Sequence, residues 1–253
     1  MLSAVVLTKN EEKNIERCLG GLDFCNEIII VDDYSNDRTL EKIQKALKSK
    51  VYKVFHRELK GDFADQRNFG LSKAGADWVL FIDADEIVTS NLKDEIISTV
   101  RQTDREGFYI RRRDFFWGKE LKFGEIRMAR NKGILRLVKK NSGKWMGNVH
   151  EVFHTVENTG KLKNFLNHYP HPTIKEFISD INNYSTLRAQ ELYNQGKNTN
   201  ILEIMFTPAL KFIYTFLFNL GFLDGAAGFT YAFMMSFHSY LVRAKLYQYQ
   251  HKS

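Results

Sequence analysis

Four short apolar runs separated by helix-like segments constrain this chain more than any other feature. The runs are Leu2–Leu7, Glu27–Val31, Val51–Phe55 and Trp78–Ile82. Between them, residues 14–22 place Ile15, Leu19 and Leu22 on one helical face. Residues 38–47 do the same with Leu40, Ile43 and Leu47, and residues 65–74 form a third helix. Ser35 or Asp37 can cap the helix over 38–47. Strand–helix alternation with short connections means βαβ units, a mostly parallel sheet and right-handed crossovers.

The fourth run ends in Asp83-Ala84-Asp85-Glu86. Side chains alternate along a strand, so Asp83 and Asp85 aim together beyond its C-terminal end. Open α/β sheets bind ligands at that end. Two close carboxylates repel unless a cation sits between them. Oxygen ligands of this kind suit Mg²⁺ or Mn²⁺, which would hold a phosphate-bearing substrate. Helix capping explains the pair poorly, because Asn91 best opens the next helix, residues 91–100.

Beyond these, residues 107–113 and Ile134–Lys139 read as strands, and residues 173–196 as a long helix. From Phe206 the composition changes: eleven Phe or Tyr residues fall within Phe206–Tyr240. The apolar stretch is interrupted by Pro208, Lys211, Asn219 and Gly221, and Asp224-Gly225 breaks it. A spanning helix needs about 20 continuous apolar residues, so an interfacial helical hairpin fits better. A buried helical pair or a homo-oligomer interface is the plainer alternative. The division expected is 1–165 for the α/β part and 166–253 for a C-terminal, aromatic-rich helical appendage.

The formal charge of +7 is unevenly spread. Residues 1–100 carry 14 basic and 18 acidic side chains, and residues 101–140 carry 13 and 5. A basic middle segment beside an acidic site suggests contact with phosphates or anionic lipid. No zinc-finger, RNP or helix-turn-helix pattern is present, which argues against nucleic acid. Cys18 and Cys25 lack metal spacing and read as free thiols in a reducing compartment. No secretory signal is evident at the N-terminus.

Three phosphate-binding classes can be weighed. A P-loop needs G-x-x-x-x-G-K-[ST], which is absent. A dinucleotide site needs G-x-G-x-x-G after the first strand, where Thr8-Lys9-Asn10-Glu11-Glu12 stands instead. An aspartyl-phosphate phosphatase of the haloacid dehalogenase type is partly matched by Asp83-Ala84-Asp85-Glu86-Ile87, but that motif normally opens the fold.

The whole first half resembles glycosyltransferase family 2, the inverting enzymes of GT-A fold. The blocks are Leu7-Thr8-Lys9-Asn10-Glu11, residues 30–39 around Asp32-Asp33, Gln66-Arg67-Asn68-Phe69-Gly70-Leu71, and residues 77–86. Asn148-Val149-His150-Glu151, Asn167-His168-Tyr169-Pro170-His171 and Leu223-Asp224-Gly225 with Gly228 resemble the lipopolysaccharide-core β-glucosyltransferase branch. The resemblance implies a GT-A, Rossmann-like sheet and a nucleotide-sugar donor, with UDP the commonest carrier. Thr8, Asn10, Glu11 and Asp33 would border the nucleoside. Arg67 would meet the diphosphate, and Asp83 and Asp85 would hold Mg²⁺ or Mn²⁺ upon it.

Inversion by direct displacement needs a base for the acceptor hydroxyl. Glu151 is the candidate, with Glu86 and Asp114 in reserve; a structural ion pair with an arginine is its alternative. His150 and His168 could orient groups or complete a metal shell. Trp145 could stack on a sugar, and Arg113, with Arg111 and Arg112, could bind a phosphorylated acceptor. The reading is a metal-dependent glycosyltransferase acting on an envelope glycan or lipid-linked acceptor. It would be cytoplasmic and peripheral at the inner face of the membrane, in contact with anionic lipid. The alternatives are the phosphatase and a non-catalytic nucleotide-binding scaffold.

Overall fold

The computed structural model describes residues 1–147, 151–155 and 158–251. They form two compact units: Met1–Arg113 with Asn131–His168, and Asp114–Arg130 with Tyr169–Ser253.

The first unit contains β1 (Leu2–Thr8), α1 (Ile15–Gly20), β2 (Glu27–Asp32), α2 (Thr39–Ala46), β3 (Tyr52–His56), α3 (Phe63–Lys73), β4 (Trp78–Asp83), β5 (Glu86–Val88) and α4 (Ser90–Gln102). β6 (Gly107–Phe116) follows, and its last three residues pair with β7 (Lys119–Leu121) in the second unit. The first unit resumes near α5 (Arg127–Asn131) with β8 (Ile134–Lys139), β9 (Gly143–Met146), β10 (Val152–Thr155) and β11 (Thr159–His168).

The main sheet runs β3-β2-β1-β4-β8-β6-β11-β5. β3, β2, β1 and β4 are parallel, as the alternating pattern predicts. The strands added beyond β4 pair antiparallel at β4–β8, β6–β8 and β11–β5. The GT-A architecture expected from the sequence is present, with helices flanking the sheet and a helical C-terminal part.

The parallel strands are apolar on both faces because both faces are covered. Ala4, Val6, Ile28, Ile30, Leu80 and Ile82 share one core with Ile15, Leu22 and Leu92. Val5, Ile29, Val31, Val79 and Phe81 face the other way, toward Ala64, Leu71, Trp145 and Phe153. Helix α3 lies close to β1: a Cβ on Gly70 would stand 2.4 Å from Val5 Cγ1. Asp62 caps α3 by accepting from the Asp65 N–H. Thr89, rather than Asn91, caps α4. A hydroxyl one residue before the helix reaches the Leu92 N–H, whereas Asn91 lies inside the first turn. Neither Ser35 nor Asp37 is the N-cap of α2, although Asp37 Oδ1 accepts from the Thr39 N–H and hydroxyl.

Only two residues separate β4 from β5, yet β5 pairs with β11 at the far end of the strand order. The sheet therefore curls back on itself beside Asp83–Glu86.

The second unit holds α6 (Ile174–Asn194), α7 (Ile201–Ile213) and α8 (Gly225–Gln250). Thr173 and Glu176 form a capping box at α6, satisfying two otherwise orphaned N–H groups. Phe116, Leu121, Ile126, Phe177, Ile181 and Met234 make its core. A π-helical turn, Tyr214–Phe218, and a 3-10 turn, Gly221–Asp224, connect α7 to α8. The Asp224-Gly225 break is a clamp. The buried Asp224 carboxylate accepts from the N–H groups of Lys122 and Phe123 at 2.8 and 2.9 Å, and its carbonyl accepts from Lys119 Nζ. Gly228 has to be glycine, since a Cβ would lie 2.1 Å from the Gly221 carbonyl oxygen.

Candidate active site

The C-terminal ends of the parallel strands gather the candidate residues. β4 delivers Asp83, the corner after it Asp85, and β5 Glu86. Helix α3 supplies Arg67, β8 supplies Arg136, and the end of β11 supplies His168.

The partners of these acids are arginines and a histidine. Asp83 Oδ1 accepts from Arg67 Nη2 at 2.8 Å, and Oδ2 accepts from Arg136 Nη2 at 2.5 Å. Burial alone would raise this carboxyl, but Arg136 and Arg67 outweigh it and hold it well below the usual carboxylate range. Asp85 is lowered in the same way: burial opposes the charge and His168, 3.1 Å away, prevails. Glu86 is fully buried. It accepts from the Asp83 N–H at 2.9 Å and pairs with Arg136 at 3.0 Å and Arg112 at 3.8 Å. Burial pushes its carboxyl up despite those arginines. Glu86 thus holds the corner from beneath and offers no open base.

Arg67 extends the network. Its Nε donates to Glu151 Oε1 at 2.8 Å, so one guanidinium bridges Glu151 and Asp83. It is a buried residue, not a surface helix arginine. Its Nη1 is buried and has no hydrogen-bond partner among the described residues. The ion pair named as the alternative for Glu151 is therefore present. The guanidinium stands 5.0 Å from the Trp145 ring. That ring is only 4% exposed and packs edge-on against Phe81 and Phe153. Trp145 thus does not present the sugar-stacking face expected of it; it forms the wall behind Arg67. Asn68 fixes this wall by donating to the Trp145 carbonyl and accepting from its N–H, at 2.9 and 2.8 Å.

The residues expected to border the nucleoside lie at the ends of β1 and β2. Thr8 is buried, and its hydroxyl has no hydrogen-bond partner among the described residues. Asn10 takes a left-handed backbone (φ 54°), and its side-chain oxygen accepts from the Asn36 N–H. The Glu11 N–H donates to Thr39, and its carboxylate accepts from Asn14. Asp33 accepts from the Leu59 N–H through Oδ1 and pairs with exposed Lys9 through Oδ2. Asp32, by contrast, is spent on Ser35 and His56. Arg113 places its guanidinium 4.4 Å from the Phe165 ring, with Arg111 4.1 Å from the same ring. His150 lies outside the described residues.

No group of three His, Cys, Asp or Glu side chains among the described residues is arranged to hold a metal. The donor set still fits a divalent ion in one place. Asp85 Oδ2 and His168 Nε2 are 3.1 Å apart, close to the roughly 3 Å between neighbouring ligands of an octahedral ion at about 2.1 Å. Hard divalent ions commonly take one or two protein ligands and complete their shell with phosphates and water. Asp83, expected as the second carboxylate ligand, has both oxygens engaged by guanidinium groups.

The sequence pattern of the family described as "Glycosyl transferase family 2" matches residues 3–163. The chain belongs to glycosyltransferase family 2. It is 30% identical over 98% of its length to the lipopolysaccharide core biosynthesis glycosyltransferase LpsC of Rhizobium meliloti, covering 92% of that protein. An uncharacterized glycosyltransferase of Rickettsia typhi is also 30% identical, over 100% of this chain and 88% of its own. Two solved structures share the fold. The mannosyltransferase PcManGT of Pyrobaculum calidifontis, in complex with GDP-Man and Mn²⁺, has a TM-score of 0.55 at 13% identity, over 99% of this chain and 88% of that one. S. aureus TarS 1–349 with UDP-GlcNAc has 0.54 at 16% identity, over 98% and 91%.

This family-2 enzyme is a glycosyltransferase, so the phosphatase and scaffold alternatives are not favoured. Arg136 is the residue that sequence reasoning missed. Its signal was a charge set among the apolar residues 134–138 of β8.

Proposed function

We propose that the protein transfers a sugar, with inversion, from a nucleoside-diphosphate donor to an envelope glycan or lipid-linked acceptor at the cytoplasmic face of the membrane. The observation that carries this reading is the Arg67 bridge between Asp83 and Glu151, beside the Asp85–His168 pair, in a family-2 chain. Donor binding and catalysis fall to residues 1–165, and residues 166–253 form the helical appendage.

In this mechanism Thr8, Asn10, Glu11 and Asp33 border the nucleoside. The Thr8 hydroxyl and Arg67 Nη1, without a hydrogen-bond partner among the described residues, are polar groups suited to a bound polar ligand, since a buried donor without a partner is costly. Arg67 offers its planar fork to the diphosphate. The acceptor hydroxyl attacks the anomeric carbon from the face opposite the leaving group. Its proton passes to Glu151, the anomeric C–O bond breaks, and the electron pair leaves on the nucleoside diphosphate. Asp85 and His168 would hold Mg²⁺ or Mn²⁺ against that diphosphate, where a bound ion supplies Lewis-acid neutralisation of the departing charge. Glu86 and Arg136 keep Asp83 in place throughout.

PcManGT binds GDP-Man and TarS binds UDP-GlcNAc, so the carrier is a matter for measurement, with UDP the first expectation. Thermal-shift titration with UDP, GDP, CDP and dTDP, each with Mn²⁺ or EDTA, tests the proposal. A ligand that binds only the native state raises its apparent stability. Metal-dependent stabilisation by one nucleotide is expected; none by any of the four would overturn the donor reading.

A further inference from the structure

The second unit carries an apolar surface that the transfer chemistry leaves unused. Across Ile201–Phe218 the mean hydropathy is 1.6 and only 17% of the run is buried. The exposed tip beyond it continues through Leu220, Phe222 and Leu223, and Phe218 itself is 71% exposed. Along the hairpin, α7 and α8 border a cavity of about 410 Å³ lined by Ile204, Met205, Pro208, Phe233 and Phe237. Ser236 also lines it, but its hydroxyl already donates to the Pro208 carbonyl.

Basic residues stand at the tip. The Gly124 N–H donates to the Asn219 carbonyl at 3.0 Å, and Glu125 pairs with Lys211 at 3.0 Å. These contacts hold residues 122–128 against the end of the apolar run, with Lys122, Arg127 and Met128 exposed. We propose that the α7–α8 hairpin lies in the headgroup–acyl boundary of an anionic bilayer, its Phe218–Leu223 tip inserted and its groove taking one lipid acyl chain.

Charge decides among the occupants. A second copy meeting this patch through a two-fold axis would set two basic rims together. Anionic headgroups instead neutralise Lys122 and Arg127 while the apolar face is buried. A spanning pose would carry the Lys211–Glu125 ion pair into hydrocarbon; an interfacial pose leaves it at the headgroups. This placement does not depend on the transfer mechanism.

Co-sedimentation of the full chain with phosphatidylglycerol-containing vesicles, against pure phosphatidylcholine vesicles, tests it. Binding to the anionic vesicles is expected to weaken with salt. It should fall at least about tenfold in Phe218→Ser/Phe222→Ser and in Lys122→Glu/Arg127→Glu, each checked for an unchanged unfolding midpoint. Where the serine variant fails to fold, Phe218→Trp carries the test. Its fluorescence should be quenched by bromine-labelled acyl chains beyond the quenching of the wild-type chain. No binding by the wild-type chain, or no added quenching in Phe218→Trp, overturns the proposal. So does a stable dimer in sedimentation equilibrium that is broken by Phe218→Ser/Phe222→Ser.

Discussion

Arg67 Nε lies 2.8 Å from Glu151 Oε1 while the same guanidinium holds Asp83. A diphosphate offers that guanidinium competing oxygens, so donor binding would loosen Arg67 from Glu151. Glu151→Gln should then lower kcat by about 10²–10⁴-fold while leaving donor affinity within a few-fold. Steady-state transfer rates beside nucleotide titration check this; a kcat near wild type would remove Glu151 from the role.

Arg67→Lys keeps the charge but cannot bridge two carboxylates in fork geometry. We expect weaker nucleotide binding together with slower transfer, where Glu151→Gln shows the second alone. Calorimetric titration of both variants with the donor's nucleoside diphosphate separates the two patterns.

Arg136 is buried between Asp83 and Glu86, and their charges outweigh the burial that would otherwise lower it, raising its pKa. Replacing it with Met leaves buried carboxylates short of a partner, which costs about 3–5 kcal/mol. Urea unfolding should show a large loss of midpoint. A loss under about 1 kcal/mol would mean the corner is held by Arg67 and Arg112 instead.

Metal removal has a readout independent of turnover. With nucleotide and Mn²⁺ at about a hundred times the dissociation constant, stabilisation should reach about 2.7 kcal/mol. EDTA, Asp85→Ala or His168→Ala should abolish most of the metal-dependent part. Equal stabilisation in all three would move the metal away from this pair.

Asp224→Asn removes the charge from two backbone N–H bonds, and Gly228→Ala forces a Cβ toward the Gly221 carbonyl. Each should destabilise by about 1–3 kcal/mol. Thermal unfolding of the two single variants checks the clamp directly.

Burial pushes the Cys25 thiol up to about 12 and raises Cys18 as well. Both should resist thiol reagents at pH 8 and react fully only in denaturant. The folded state favours the protonated form, so the contribution of Cys25 to stability is intact below the unfolded value near 8.5 and is lost as pH rises toward 12. In Cys25→Ala the fall in stability over that window should be shallower.

The parallel half was legible because each βαβ unit is local: an apolar run, a turn and a periodic helix within about 30 residues. The helix α6 was legible for the same reason. β5, with three residues, and the β9–β10 hairpin carry too little pattern to stand out. Asp83 and Asp85 were found from strand alternation, but their partners Arg67, Arg136 and His168 are brought by tertiary pairing. Spacing around residue 83 cannot announce them. Trp145 misled because an aromatic beside candidate acids looks alike whether it faces a sugar or backs an arginine.

The curl of the sheet sets an order of assembly during synthesis. β4 and β5 emerge early, yet β8 and β11, which carry Arg136 and His168, emerge much later. At about 5–20 residues per second, the acids at the corner wait for several seconds with part of their counter-charge unmade. A nascent chain stalled before His168 would present the parallel strands but lack the Asp85 partner. The site would then become competent only as the last strand pairs with β5, which makes closure of the sheet the gate to maturity.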